Sequence, residues 1–383
     1  VKALAAVSLL TDASSEMIYP LLPLFFSTVL GASASTIGAI EGLAESTASM
    51  LKLVSGWWSD RVGRRKPFVV AGYGLAAVVR PIMGLVASSG QALAVRLGDR
   101  VGKGVRQSAR DALLADSASP AQRGHAFGFL RAGDNAGAVI GPLVAWVMLE
   151  LGGLPLRRVF LWAALPGAIS VAVLVLFVRE KPKARAAVTS SDPAEMFSGK
   201  LGNPFWRYLI VLLVFTLGNC TDAFLLLRAS QLGVATALVP ILWAGFSLVK
   251  AVCSTPGGTI SDRIGRRPVI VAGWVVFAAV YLLFGRATAA WHAWALFALY
   301  GVSLGFSESV ERAMVADLVP AARRGAAYGW YNFVIGIGAL PASVFFGLVW
   351  DGVSPTAAFT MGAGLAAAAA VGLVALVPAT REK

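Results

Sequence analysis

The chain has 383 residues, of which 57% are hydrophobic and 14% charged, a balance that leaves too little polar surface for a soluble domain and suits a multi-spanning membrane protein. Its formal charge of +13 would fit a nucleic-acid partner, but the lysines and arginines fall mainly in short loops between apolar runs, so no basic face assembles and nucleic acid is excluded. Cys220 and Cys253 lie within apolar runs without metal spacing, and His125 and His292 stand alone, which argues against a disulfide framework, a metal site or any other bound cofactor.

A hydrocarbon core of about 30 Å asks for about 20 helical residues per crossing. Runs of that kind predict spans at 4–28, 36–57, 67–88, 91–113, 126–149 and 158–178, then at 206–229, 237–258, 268–286, 291–314, 326–349 and 355–378. The first run is interrupted by Asp12 and Glu16 and has neither a basic leader nor a small-residue cleavage site. It is expected to be a membrane helix and not a cleavable leader. The fourth is the weakest by hydropathy, because Arg96, Asp99, Arg100, Lys103 and Arg106 fall inside it. Parity restores it. Loops at 59–66, 114–125, 179–205, 261–267 and 315–325 hold most of the basic residues, whereas those at 29–35 and 88–90 hold no charge. The basic set therefore faces the cytoplasm, and two crossings must separate the first two basic loops. Both termini are then cytoplasmic, and the membrane is expected to be a bacterial inner membrane. The polar stretch 179–205 reads as a linker between six-helix bundles at 1–178 and 206–383. The predicted fold is an all-α membrane protein with twelve transmembrane helices in two pseudo-symmetric bundles.

An internal repeat supports that division. The block Gly56-Trp57-Trp58-Ser59-Asp60-Arg61-Val62-Gly63-Arg64-Arg65 returns 202 positions later as Gly258-Thr259-Ile260-Ser261-Asp262-Arg263-Ile264-Gly265-Arg266-Arg267. Asp116, Arg123, Gly124 and Gly128 recur as Asp317, Arg324, Gly325 and Gly329, and Gly137 to Pro142 recur as Gly336 to Pro341. Three anchors at nearly one offset point to a duplicated half-protein. In the loop block, two glycines suit a tight reversal while the carboxylate and guanidinium groups can pair at a helix end.

Charges inside the predicted spans mark the candidate site. Asp12, Glu16 and Tyr19 share an arc of about 60° on the first helix, with the two acids about 12 and 18 Å deep. A carboxylate at such a depth is costly unless it is paired or protonated, so Asp12 and Glu16 are candidate proton carriers; permanent pairing to helix four or five is the alternative. Glu41, Glu45 and Lys52 share one face of the second helix. Arg96, Arg100, Lys103, Arg106 and Arg110 keep within about 120° of arc on the fourth, a stripe that cannot face lipid. Setting that basic face against the acids of helices one and two satisfies both. Lys103, Arg106 and Arg110 correspond by repeat to Leu304, Ser307 and Glu311, so the basic wall of one half faces an acidic one, with Asp134, Asp222 and Glu308 completing the set. Trp57, Trp58, Trp206, Trp330 and Trp350 read as interfacial anchors, whereas Trp243, Tyr300 and Tyr331 lie within the spans and read as core residues, with lining of a cavity as the alternative.

These motifs resemble the major facilitator superfamily over essentially the whole chain. Gly56, Asp60, Arg61, Gly63, Arg64 and Arg65 match the loop signature after the second helix, with Asp262 and Arg263 in its echo. Gly137-x-x-x-Gly141-Pro142 is similar to the fifth-helix signature of the proton-driven antiporters. Arg96 is similar to the arginine of the fourth-helix signature, although Asp99 and Arg100 replace its usual glutamine and glycine. The resemblance implies a secondary transporter, not an enzyme, that moves a small solute by alternating access and acts as a monomer in the bilayer. Proton-coupled efflux is the expected activity, with uptake or exchange of an organic anion and a membrane ligand sensor as alternatives. Gly137, Gly141 and Pro142 are expected to form a close contact and a bend, or a packing groove alone. Asp60 is expected to pair with Arg110 as a cytoplasmic latch near the start of helix eleven.

Overall fold

The computed structural model describes residues 1–62, 65–117, 123–178, 180, 201–320 and 323–378, without the side chains of 53, 54, 56–62, 115, 116, 123 and 124. Among the described residues the chain forms twelve helical segments. They are α1 (2–29), α2 (Ala34–Val62), α3 (Lys66–Leu85), α4 (Ser89–Ser117), α5 (His125–Leu151) and α6 (Leu156–Phe177), followed by α7 (Asn203–Gln231), α8 (Thr236–Ile264), α9 (Arg266–Arg286), α10 (Ala290–Asp317), α11 (Arg324–Gly352) and α12 (Pro355–Leu376). Nine of them are long and apolar enough to cross a membrane; α1, α2 and α4, which carry most of the embedded charge, fall outside that set.

The chain separates into two compact units. Unit 1 holds residues 1–31, 47–190 and 236–244; unit 2 holds 32–46, 191–235 and 245–383. The helices α2 and α8 are thus each divided between the units.

In unit 1, α1 packs on α5 and α6, and α3 packs on α4. Apolar burial does little to associate helices in lipid, so close backbone approach and polar contacts between helices carry more of the work. Small residues permit that approach. A Cβ at position 137 would lie 2.5 Å from the Leu9 carbonyl oxygen, and one at 141 would lie 2.5 Å from that of Ala13. Ser14 Oγ donates to the Ala163 carbonyl at 2.8 Å and Thr11 pairs with Ser170 at 2.6 Å, which fixes α1 against α6.

The helix α1 is not continuous. Regular helix ends at Glu16, a turn follows at Met17–Ile18, and a 3-10 turn runs through Tyr19–Leu21. Pro20 and Pro23 explain the break, since each lacks the N–H that would bond the carbonyl four residues earlier. The helix α7 is also interrupted: its first part ends at Gly218, Asn219 leaves helical geometry with ψ +86°, and Asp222 opens the second part. An offset of 202, the spacing of the loop blocks, carries Met17–Ile18 onto Asn219–Cys220. The two interruptions are therefore equivalent by repeat, whereas Asp12 and Glu16 precede theirs and Asp222 follows its own.

Unit 2 is built around aromatic residues. Trp274 of α9 is fully buried and stacks on Phe215 of α7, with ring centroids 4.3 Å apart and 8° between planes. Phe277, Tyr281, Phe284, Tyr300, Phe346 and Phe359 extend the cluster across α9, α10, α11 and α12. The first turns of α2 belong to this unit: Asp351 of α11 accepts from Ala34 N at 3.1 Å and Ser35 N at 2.8 Å, and Ser46 Oγ donates to the Gly336 carbonyl at 2.6 Å. Between α8 and α9 the reversal passes through Gly265 at φ +92°, a left-handed conformation that favours glycine. Arg266 then pairs with Asp262 and, at 3.1 Å, with Asp317.

Candidate functional site

The α1 interruption sets the geometry of unit 1. Glu16, the last residue before it, is half-buried and accepts from Trp243 Nε1 at 2.7 Å. Tyr19, just past the turn, has its ring 5.2 Å from that of Trp243, and the Arg96 guanidinium lies 5.7 Å from the Tyr19 centroid. The Glu16 carboxylate lies in the field of Lys103, Arg100 and Arg80. A small cavity lined by Ser15, Ile18, Arg80, Arg96 and Asp99 adjoins the interruption.

One turn earlier, Asp12 is half-buried against the glycine face of α5. Its field comes from Asp134, Arg106, Arg110 and Glu16. Among the described residues, neither Asp12 nor Glu16 forms an ion pair within 4 Å.

Their neighbours are bound more tightly. Asp99 takes Arg80 Nε at 2.7 Å and Arg96 at 3.7 Å, all three being buried, and Arg80 also donates to the Thr11 carbonyl at 2.9 Å. Arg110 divides its nitrogens among Ser8 at 2.7 Å, Asp134 at 3.4 Å and Asp111 at 3.0 Å, and Ser8 donates to Asp134. Arg106 is buried with its guanidinium 4.7 Å from the Tyr73 ring centroid. Arg100 is buried and Lys103 half-buried on the same helix. The stripe thus ties α4 to α1, α3 and α5 within one unit.

Unit 2 meets two of its acids with neutral donors. Glu311 of α10 is 5% exposed and accepts from Trp274 Nε1 at 2.8 Å and Tyr331 Oη at 3.2 Å. Asp222, at the α7 interruption, accepts from Tyr300 Oη at 2.6 Å, and Glu308 pairs with Lys250 at 2.9 Å. Glu41 is buried and Glu45 half-buried on the part of α2 that belongs to this unit. Trp243 and Tyr331, read from the sequence as core residues, are buried but also supply donors to carboxylates.

At the loop block, Arg65 donates its backbone N–H to Glu180 at 2.7 Å and its Nη1 to the Ala112 carbonyl at 2.8 Å. Gly56, Asp60 and Arg61 end α2 with side chains outside the described set, and Gly63 and Arg64 lie outside the described residues, so the expected Asp60–Arg110 latch falls there. In the echo, Asp262 joins the Arg266 network and Arg263 is exposed. Pro142 lies inside α5, shortly before the helix loosens into a π-helical end at Val147–Leu151.

Three residues of this site escaped sequence reading in the roles they play. Ser8 and Trp243 carry no charge, and Arg80 sits one residue before a proline in an otherwise apolar helix. Only the Arg80 charge inside a span offered a signal. Among the described residues no group of three or more His, Cys, Asp or Glu is suited to a metal ion.

Comparison with known proteins agrees with this architecture. The family profile described as Major Facilitator Superfamily matches residues 4–227 and 209–383. An MFS-type transporter of Methanocaldococcus jannaschii is 33% identical over 371 residues, covering 95% of this chain and 91% of the relative. The multidrug resistance protein MdtG of Proteus mirabilis is 27% identical, covering 82% and 79% of the two chains. Among solved structures, a point mutant of the nucleoside transporter NupG superposes with a TM-score of 0.81 at 15% identity over 98% of each chain, a likeness of fold. Helical spans, a duplicated half and embedded charge define an integral multi-pass membrane transporter. The chain belongs to the major facilitator superfamily.

Proposed function

We propose that this transporter exports a small, drug-like solute in exchange for protons by alternating access, with Asp12 and Glu16 carrying the proton. The observation that carries the reading is a contrast in unit 1. Asp99 and Asp134 are held in ion pairs with arginines, whereas Asp12 and Glu16 face several cations without closing on any within 4 Å. A carboxylate in that position can gain and lose a proton without breaking a salt bridge that holds the bundle together. The multidrug resistance name of the Proteus relative and the Gly137-to-Pro142 pattern support export coupled to proton entry. The positive loops support an inner-membrane protein with cytoplasmic termini, and we propose that it works as a monomer, with Asp60 and its loop closing the cytoplasmic side.

A second reading, transport of an organic anion, has one observation in its favour: Nη1 of buried Arg106 meets no hydrogen-bond acceptor among the described residues. Both readings meet one experiment. Proteoliposomes with an imposed pH gradient are given cationic, neutral and anionic fluorescent solutes, with wild type, Asp12→Asn and Glu16→Gln compared. Replacing the coupling carboxylate should abolish gradient-driven accumulation while counterflow exchange persists. Normal gradient-driven accumulation in both single variants overturns proton coupling through α1, and transport confined to anions selects the second reading.

A further inference from the structure

We infer that Trp243 is the positioning residue that reads the charge of Glu16 and passes it to α8, an inference that rests on Glu16 being a proton carrier. Three observations meet at this side chain. Its indole N–H lies 2.7 Å from Glu16 Oε2. Its ring packs on Tyr19 immediately past the α1 interruption. The division of α8 between the units falls one residue later, since Thr236–Ala244 belong to unit 1 and Gly245 onward to unit 2.

The chemistry of the bond makes it selective for one state of Glu16. An indole N–H donates and never accepts, so either oxygen of a carboxylate can receive it, whereas a protonated acid leaves it only a neutral and weaker carbonyl acceptor. Hydrogen bonds to an ionised acceptor are about twice as strong as neutral ones. Deprotonated Glu16 therefore holds the first turns of α8 in unit 1, and protonated Glu16 holds them less firmly. Arg80 of α3 and Arg100 and Lys103 of α4 also face Glu16, as does Asp12 on its own helix. Those cations answer the same change in charge, but they sit on helices wholly within unit 1. Trp243 alone among these partners stands on a helix that continues into unit 2, so the Glu16 charge reaches α8 through it.

The inference does not require a known substrate to be tested. In protein labelled with 5-fluorotryptophan, the Trp243 resonance is assigned by its loss in Trp243→Phe and followed across pH by fluorine NMR. It should titrate in wild type and become pH-independent in Glu16→Gln. In a background with Cys220 and Cys253 replaced by Ala, nitroxides at positions 29 and 238 report by pulsed electron resonance whether the start of α8 shifts against α1. The distance distribution should change with pH in wild type and lose that response in Trp243→Phe, which keeps the aromatic ring but not the donor.

A Trp243 resonance that ignores pH, or a Trp243→Phe protein whose distances respond as in wild type, overturns the inference while leaving Glu16 as carrier. Gradient-driven solute accumulation preserved in Glu16→Gln instead removes the carrier reading on which it rests.

Discussion

The helices α4 and α10 are related by the internal repeat, yet they bury charge in opposite ways. In α4, Asp99 is enclosed by Arg80 and Arg96, and Arg110 by Asp111 and Asp134. In α10, Ser307 turns its hydroxyl back to the Ser303 carbonyl, and Glu311 is held by the neutral donors of Trp274 and Tyr331. The first arrangement satisfies charge with charge, and each partner depends on the other. The second satisfies a carboxyl group with dipoles fixed in an aromatic core, so loss of one donor leaves the other in place. Duplication has conserved the scaffold while Asp99 of α4 and Glu311 of α10 are satisfied by different means.

Breaking the ion-paired side should have the largest effect. Arg80→Met removes the closer of the two guanidinium partners of buried Asp99 and frees the Thr11 carbonyl, so it should destabilise the protein by about 3 kcal/mol. Thermal unfolding in detergent, followed by tryptophan fluorescence, measures it. Adding Asp99→Leu should recover part of the loss, since it removes the under-paired carboxylate, while Arg96 gives up its contact with Asp99.

An intermediate effect is expected on the dipolar side. Glu311→Gln keeps an amide oxygen for Trp274 and Tyr331 and should cost about 1 kcal/mol, the difference between a charged and a neutral acceptor. If the same unfolding assay shows Glu311→Gln to be as damaging as Arg80→Met, the contrast between the two helices does not hold.

The smallest effect should come from the loop echo. Asp317→Asn weakens one partner of Arg266, whose pairing with Asp262 remains, and both acids are solvent-accessible. The expected loss is below about 1 kcal/mol and should shrink further as salt rises. A melting shift comparable to that of Glu311→Gln would show that this loop contributes more than a surface ion pair does.

Much of the architecture was legible in the residues because membrane topology depends on bulk properties. Apolar length and loop charge predicted the spans, and parity recovered α4 where hydropathy does not. The repeat revealed the duplication through residues that tolerate little change, the glycines and loop charges. The site was legible only as a set of charges. Which arginine closes on which acid depends on helix rotation and crossing, and an offset of a residue or two changes the partner. Nothing in the sequence of α8 distinguishes Trp243 as a donor to an acid 227 positions away. The α1 interruption had Pro20 and Pro23 as signals, whereas in α7 the only local hint is Gly218 followed by residues that favour turns.

The seating of α1 on α5 has a consequence for synthesis. Ser8 and Asp134, which pin the two helices together, are 126 positions apart, and a ribosome adding about 5–20 residues per second takes on the order of ten seconds to cover that distance. Through that interval the newborn first helix holds its two acids in the insertion machinery or the membrane before the surface that will seat them exists. Its early residence must therefore be secured by water, by lipid headgroups or by the translocation apparatus. Slowing translation between α1 and α5 lengthens that interval.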